Sequence, residues 1–219
     1  MVSVVGIGPG NFDYLIPLAY RRIREAEILI GGRRILSLFP EVQGEKIALQ
    51  ENVDLGGILR RFQRVVILSS GDPLLFGVLD WVLRCVPQEE VEVIPGVSSV
   101  QYFLARLKVP LKDTAVVSLH GREGDVVGVV RHYRTVVVFT DEVHTPVMIA
   151  RTLCKAGLTT CRIYVGENLS SEEECIHCFG VEELAAMENR FGLNLVVIQR
   201  CIPSCSAFQT TFSGVDVLL

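Results

Sequence analysis

Three short glycine-rich turns hold the residues best suited to grip a ligand: Gly6-Ile7-Gly8-Pro9-Gly10, Gly71-Asp72-Pro73 and Pro95-Gly96-Val97-Ser98-Ser99. Each follows an apolar run that reads as a strand. Glycine permits positive φ and lets a ligand come close to the backbone. Asp72 adds a carboxylate, and Ser98 and Ser99 add hydroxyls at the start of a helix. In an open α/β sheet, ligands bind beyond the carboxyl ends of the strands, so the three turns are predicted to share one edge of a sheet. A plainer reading exists for each turn alone: Gly-Asp-Pro is a common turn, and its Asp can simply cap a helix. The occurrence of all three in this order is what points to a site.

The spacing excludes two familiar nucleotide sites. A dinucleotide fingerprint needs G-x-G-x-x-G and an acidic residue about 20 positions on. Here the third glycine comes one residue early, at Gly10, with Asn11 in its place, and Pro9 lacks an N–H that could meet a pyrophosphate. Glu25 and Glu27 precede the next strand instead of ending it. No G-x-x-x-x-G-K-[ST] loop is present. Cysteine patterns at Cys175-Ile176-His177-Cys178 and Cys201-Ile202-Pro203-Ser204-Cys205 suggest zinc. A structural zinc site needs four ligands converging on one centre, however, and residues three apart on a strand face opposite sides. Free thiols are therefore expected, and no metal.

Elements must place the turns. The 219 residues are 49% apolar and 21% charged, with a mean hydropathy of +0.39. That suits buried parallel strands, which read as near-continuous apolar runs. Strands are predicted at Val2–Ile7, Glu27–Ile30, Val65–Ser69 and Val91–Ile94. Helices are predicted from an Asp13 cap through Ala26 with Pro17 in the first turn, over Leu55–Phe62, from Pro73 through Trp81, and from Ser98 to Leu107. This alternation implies a parallel sheet with right-handed crossovers. Val109–Asp113 breaks the pattern and divides the chain into expected α/β units 1–111 and 114–219. The second unit has strands at Ala115–Leu119, Val136–Phe139, Arg162–Val165 and Leu195–Ile198, a helix over Pro146–Ala156, and a hairpin-like Cys175–Gly180 stretch that implies a mixed sheet. The fold class is α/β, with two units, the first sheet parallel and the second mixed. A net charge of -4 argues against nucleic acid, and no segment suits a bilayer. The start lacks a basic region or cleavage site, so a cytoplasmic location is expected.

The order G-x-G-P-G, then G-D-P near residue 70, then P-G-x-[ST] about 25 residues later, resembles the tetrapyrrole methylase family over essentially the whole chain. Ser69–Gly77, Ile94–Gln101, Gly31-Gly32-Arg33-Arg34 and Ser118-Leu119-His120-Gly121-Arg122 are similar to one branch, which methylates carbon 5 of a precorrin or cobalt-precorrin in cobalamin biosynthesis. The resemblance implies two α/β domains around an active-site cleft, a homodimer, and S-adenosylmethionine as methyl donor. By motif position it implies cofactor contacts from Pro9, Ser70, Gly71, Asp72, Leu75, Ser98, Ser99, Thr140, Asp141 and Gly166. Gly8, Gly10, Arg33, Arg34 and Arg122 are then expected on the tetrapyrrole side. Some relatives carry a fused methylase that acts at carbon 15 and decarboxylates, a task expected to fall here to a separate protein.

Such a reaction is an in-line displacement at a carbon already activated by its sulfonium. The acceptor carbon must be held within about 3–3.5 Å of that methyl, and positioning and electrostatics dominate. No catalytic triad is needed or visible. The acetates and propionates of the ring suit guanidinium forks, hence the arginines, with Arg106 a further candidate; solvated surface arginines are the plain alternative. His120, at a strand end, is the expected proton acceptor, against a structural histidine. Two other readings are a family enzyme with another acceptor (a different ring carbon, uroporphyrinogen, or the modified histidine handled by diphthine synthase) and a non-catalytic binding module of the same fold. The Leu-His-Gly-Arg string favours the carbon 5 branch, and the intact glycine turns argue against the binding module.

Overall fold

The computed structural model describes residues 1–49, 53–121, 124–188 and 191–201. The first unit has five strands, β1 (Val2–Gly6), β2 (Ile28–Gly31), β3 (Glu45–Ala48), β4 (Val65–Ser69) and β5 (Val91–Ile94), in the order β3-β2-β4-β1-β5. All four ladders are parallel. The side-chain period of two sorts the strands' apolar residues onto two faces. Val5, Leu29, Val66 and Leu68 pack on α1 (Pro17–Arg24), α2 (Arg33–Leu36) and Phe39. Val2, Val4, Ile28, Ile30, Val65 and Ile67 pack on α3 (Leu55–Arg61) and α4 (Leu79–Cys85). Buried on both faces, these strands are the apolar runs seen in the sequence.

The second sheet comprises β6 (Thr114–Ser118), β7 (Thr135–Phe139), β8 (Cys161–Glu167), β9 (Cys175–Gly180) and β10 (Asn194–Arg200), in the order β6-β7-β10-β8-β9. Only β6 and β7 pair in parallel; the other three ladders are antiparallel, so the sheet is mixed as expected. One face packs on α6 (Val126–His132), α7 (Pro146–Lys155) and α8 (Val181–Ala185). The other receives α5 (Ser99–Leu107): Val100, Phe103 and Leu104 bury against Val137, Leu195 and Val197. Thus α5 leaves the third glycine turn of the first sheet and fills the core of the second.

Several local expectations are corrected. Asp13 does not cap the first helix. It lies in a 3-10 turn over Phe12–Tyr14 whose cap is Asn11, and α1 starts at Pro17 after Ile16, without a side-chain cap. The helix after Gly-Asp-Pro begins only at Leu79, because Phe76 takes a left-handed φ of 53° and Gly77 packs against the Pro73 backbone. The strands β3 and the helices α2, α6 and α8 had no clear sequence signal. Gly166 lies inside β8, paired with Leu195 and Ile176, and not in a turn after it.

At the carboxyl edge of the first sheet three backbones touch. A β-carbon on Gly96 would sit 2.3 Å from the Gly71 carbonyl oxygen and 2.9 Å from Gly6 C; one on Gly6 would sit 2.6 Å from Gly96 N. Gly8 and Gly71 exchange hydrogen bonds of 3.2 and 2.8 Å, at φ of 79° and 63°. The neighbours are backbone, so no side chain can swing away. Overpacking typically costs about 1–3 kcal/mol, and Gly96→Ala is expected at or above the top of that range in urea unfolding. Gly56→Ala, in helix α3 with nothing closer than 3.7 Å, is expected to stabilise by about 0.5–1 kcal/mol. Equal effects of the two would disprove the backbone contact.

Candidate active site

The touching glycines bring the second and third turns into one wall. Ser70, Gly71, Asp72, Leu75, Ser98 and Ser99 line a cavity of 210 Å³, closed from the second unit by Ser118, His120 and Phe139. Six sequence-derived cofactor residues therefore lie together. Asp72 Oδ1 accepts the N–H of Leu74 at 2.8 Å, an Asx-type turn that fixes the carboxylate; its Oδ2 takes no bond from the described residues. Ser98 forms a capping box on α5: its hydroxyl oxygen accepts the Gln101 N–H at 3.1 Å, and Gln101 Oε1 accepts the Ser98 N–H at 3.0 Å. Ser98 thus shapes the wall chiefly by starting the helix.

His120 also lines a second, larger cleft of 1080 Å³ in the second unit, whose walls include Thr140, Asp141, Met148, Met187 and Asn194. His120 Nδ1 lies 3.2 Å from the Thr140 carbonyl oxygen. A carbonyl only accepts, so Nδ1 carries the hydrogen and Nε2 is left as an acceptor. Thr140 in turn donates its hydroxyl to Asn194 Oδ1 and to the Asn194 carbonyl, at 2.9 and 3.0 Å. Asp141 Oδ2 accepts the Gly121 N–H at 3.0 Å, and Oδ1 accepts those of Val143 and His144 at 2.9 and 2.6 Å. Asp141 is thereby occupied with holding the strand end that carries His120.

Other sequence-derived residues lie elsewhere. Gly8, Pro9 and Gly10 form the first turn beside the junction but line neither cavity. Arg33 and Arg34 are exposed at the start of α2, on the sheet edge that bears the turns. Gly166 is buried, with Phe103 and Leu169 closing over it, so it faces α5 and neither cavity. Arg106 is engaged by Glu174 at 2.8 Å. Arg122 and Cys205 lie outside the described residues. Phe76 and Phe139, in edge-to-face contact at 5.6 Å, are cavity residues missed from sequence. The sequence signals that could have found them were the place of Phe76 in the Ser69–Gly77 string and of Phe139 at the end of its strand. Among the described residues no group of three or more His, Cys, Asp or Glu is placed to hold a metal. Cys161 is buried, which pushes its thiol up, with Cys201 nearby adding to the shift.

A parallel sheet with its glycine turns on one edge, a mixed sheet facing it and a shared cavity define a class, and the chain belongs to it: the tetrapyrrole (corrin/porphyrin) methylase family, whose model matches residues 1–185. It is 36% identical over 203 residues to the cobalt-precorrin-7 C(5)-methyltransferase of Salmonella typhimurium, covering 90% of this chain and 98% of that one. It is 32% identical over 200 residues to a decarboxylating precorrin-6Y C(5,15)-methyltransferase of Sinorhizobium sp., covering 89% of this chain but 47% of that one. Its fold matches that of uroporphyrin-III C-methyl transferase from Thermus thermophilus complexed with S-adenosyl homocysteine, with TM-score 0.73, 29% identity and coverage of 90% and 91%.

The N–H groups of His144 and Gly121, helped by the His144 ring and the Val143 N–H, hold the Asp141 carboxyl well below its ordinary value against the opposing effect of burial. A carboxyl that titrates lower folded than unfolded stabilises the fold above the unfolded value, about pH 4. That contribution is lost as pH falls through the folded value. Asp141→Asn is therefore expected to melt below the native chain at pH 7, with the gap narrowing below about pH 4. A gap independent of pH would show that the charge is not what fastens this strand end.

Proposed function

We propose that this chain transfers the methyl group of S-adenosylmethionine to carbon 5 of a cobalt-precorrin in cobalamin biosynthesis. One observation carries the reading: the turns at Gly71-Asp72 and Ser98-Ser99 meet in one cavity, in a chain that matches a cobalt-precorrin-7 C(5)-methyltransferase over nearly its whole length. The residues present fit the donor. Gly71, with φ of 63° and no β-carbon, lets a ligand reach the backbone. The Asp72 Oδ2 lone pairs suit a donor hydroxyl or ammonium. Pockets for drug-sized molecules run about 300–1,000 Å³, so 210 Å³ holds part of the donor, and the 1080 Å³ cleft beyond His120, whose wall includes Thr140 and Asp141, has room for the rest.

S-adenosylmethionine supplies an activated methyl on a sulfonium leaving group. The chain's own part is to orient, exclude water and move a proton. His120, with Nδ1–H committed to Thr140, presents Nε2 as the group that accepts the proton lost by the ring carbon. Arg33, Arg34 and Arg122 would anchor ring carboxylates, with Gly8 and Gly10 beneath the ring and Pro9 beside the donor. The same reading includes a homodimer, a cytoplasmic setting and a separate carbon 15 methylase and decarboxylase. No described helix is long and apolar enough to cross a membrane. A division into units 1–111 and 114–219 is supported by the two sheets sharing no ladder.

Labelled methyl transfer from S-adenosylmethionine to cobalt-precorrin, with uroporphyrinogen as the competing acceptor, tests the function directly; labelling of uroporphyrinogen alone would overturn it. S-adenosylhomocysteine is expected to bind with roughly micromolar affinity, about -8 kcal/mol, and NADH not to bind. Asp72→Ala is expected to weaken that binding about tenfold or more, as losing a hydrogen bond to a charged group costs about 1.5–3 kcal/mol. Calorimetry showing no change in a folded variant would leave Asp72 a turn residue only. His120→Ala is expected to lower kcat by about 100-fold at saturating donor. Normal kcat with a lowered Tm would make His120 structural.

A further inference from the structure

Outside both cavities one nearly buried carboxylate gathers three donors from two parts of the fold. The Glu174 side chain, 12% exposed, lies in the loop between β8 and β9. Its Oε2 accepts the Tyr102 hydroxyl at 2.5 Å and the Ser170 N–H at 2.7 Å, and its Oε1 accepts Arg106 Nε at 2.8 Å. Ser170, 6% exposed, sits at a left-handed φ of 65°, a conformation that a non-glycine residue keeps only when its surroundings impose it. That conformation lets its N–H face Glu174 while its hydroxyl oxygen accepts the Asn11 N–H at 3.0 Å. Gly10 lies against the same hydroxyl, 3.3 Å from where its β-carbon would be. Tyr102 meanwhile holds the Tyr14 ring edge-on at 5.1 Å.

We propose that Glu174 is a positioning residue for methyl transfer: through Ser170 and Tyr102 it fixes the far side of the first glycine turn, whose near side is tied to Gly71. The proposal rests on the methyltransferase reading above. Without Glu174 the two residues that support Asn11 and Tyr14, Ser170 and Tyr102, lose their common anchor, and the segment keeps the Gly8–Gly71 bonds and the Phe12–Phe39 ring contact. Burial works to raise the Glu174 pKa, but the bonds from Tyr102, Ser170 and Arg106 outweigh it and the carboxyl stays below its ordinary value. Burial and the same bond push Tyr102 up to about 12, so it donates at any physiological pH. A displacement of about 1 Å away from the reacting atoms can cost about 100-fold in rate.

The test compares the native chain with Glu174→Ala and Glu174→Gln. The readouts are hydrogen exchange of the 8–14 amides, S-adenosylhomocysteine affinity, and kcat and KM for the cobalt-precorrin. Glu174→Ala is expected to speed exchange at Asn11 about tenfold or more and to lower kcat by about 30- to 100-fold. KM and S-adenosylhomocysteine affinity are expected to move by less than about threefold, since the residue touches neither cavity. Glu174→Gln keeps an oxygen for Tyr102 and Ser170 and is expected to recover most of kcat. Should Glu174→Ala not fold, Tyr102→Phe, which removes one of the three bonds, is expected to lower kcat several-fold with faster exchange in the same segment. Unchanged exchange over residues 8–14, native kcat in a folded Glu174→Ala, or no recovery by glutamine each overturns the proposal. A native chain that neither binds S-adenosylhomocysteine nor transfers methyl sinks the functional reading itself. A fully active Glu174→Ala beside an active native chain sinks this proposal alone.

Discussion

The contact on which the rest of the site depends is the one between the backbones at Gly6, Gly71 and Gly96. Strands β4, β1 and β5 are neighbours in the sheet, so the chain leaving each must pass the other two at the same level. Side chains there would force the turns apart. With hydrogen in place of each β-carbon, the Gly71 carbonyl oxygen packs where a residue 96 side chain would be. Asp72 and Ser98 then line one cavity. The site's geometry is thus a property of the main chain, and its polar groups are decorations held at fixed distances by it.

Helix α5 turns that local arrangement into a link between two sheets. Its amino end is the capped Ser98 of the cavity wall, and its apolar face is the core of the other sheet. Full burial of Phe103 and Leu104 stabilises by about 1.5–3 kcal/mol each, which makes any reorientation of the two sheets about this helix expensive. The cleft is therefore framed by one rigid element common to both halves, and His120 and Thr140 reach it from strand ends of the second sheet. Gly166 belongs to the same packing: its missing β-carbon makes room for the Phe103 ring.

Residues that were legible in sequence were those whose signal is local. Valine runs gave the buried strands within one or two residues, and the Pro95-Gly96 turn gave a helix start at Ser98. Glu45–Ala48 was not legible, because an edge strand with exposed Glu45 and Lys46 has too few apolar positions to show a period. Val126–His132 was missed for the opposite reason. Its valines favour strand, yet Val126 and Val130 fall four apart on a buried face, and Asp125 caps Gly128 at 2.8 Å. The turns at Gly71 and Ser98 were found through the order of motifs. The partnership of Asp141 with Gly121, of Ser170 with Asn11 and of α5 with the second sheet depends on distant chain segments, which single-chain patterns do not encode. The placement of Gly166 failed because a strand of seven residues was read as ending at Val165.

Strand order also has a consequence in time. The first strand of this sheet to be made is an inner one: Val2 pairs with Val65 on one side and with Val91 on the other. At synthesis rates of roughly 5–20 residues per second, β5 follows β1 by roughly 4–18 s. Both hydrogen-bonding edges of this apolar stretch are open until β4 is made, and one still has no native partner until β5 follows. Long-range parallel pairing is slow to form even once the partners exist, and such a segment is the kind that joins another chain instead. The nascent protein thus passes through a vulnerable period set by topology alone, so its yield of folded chains depends on crowding by other copies and on whatever binds Val2–Gly6 while it waits.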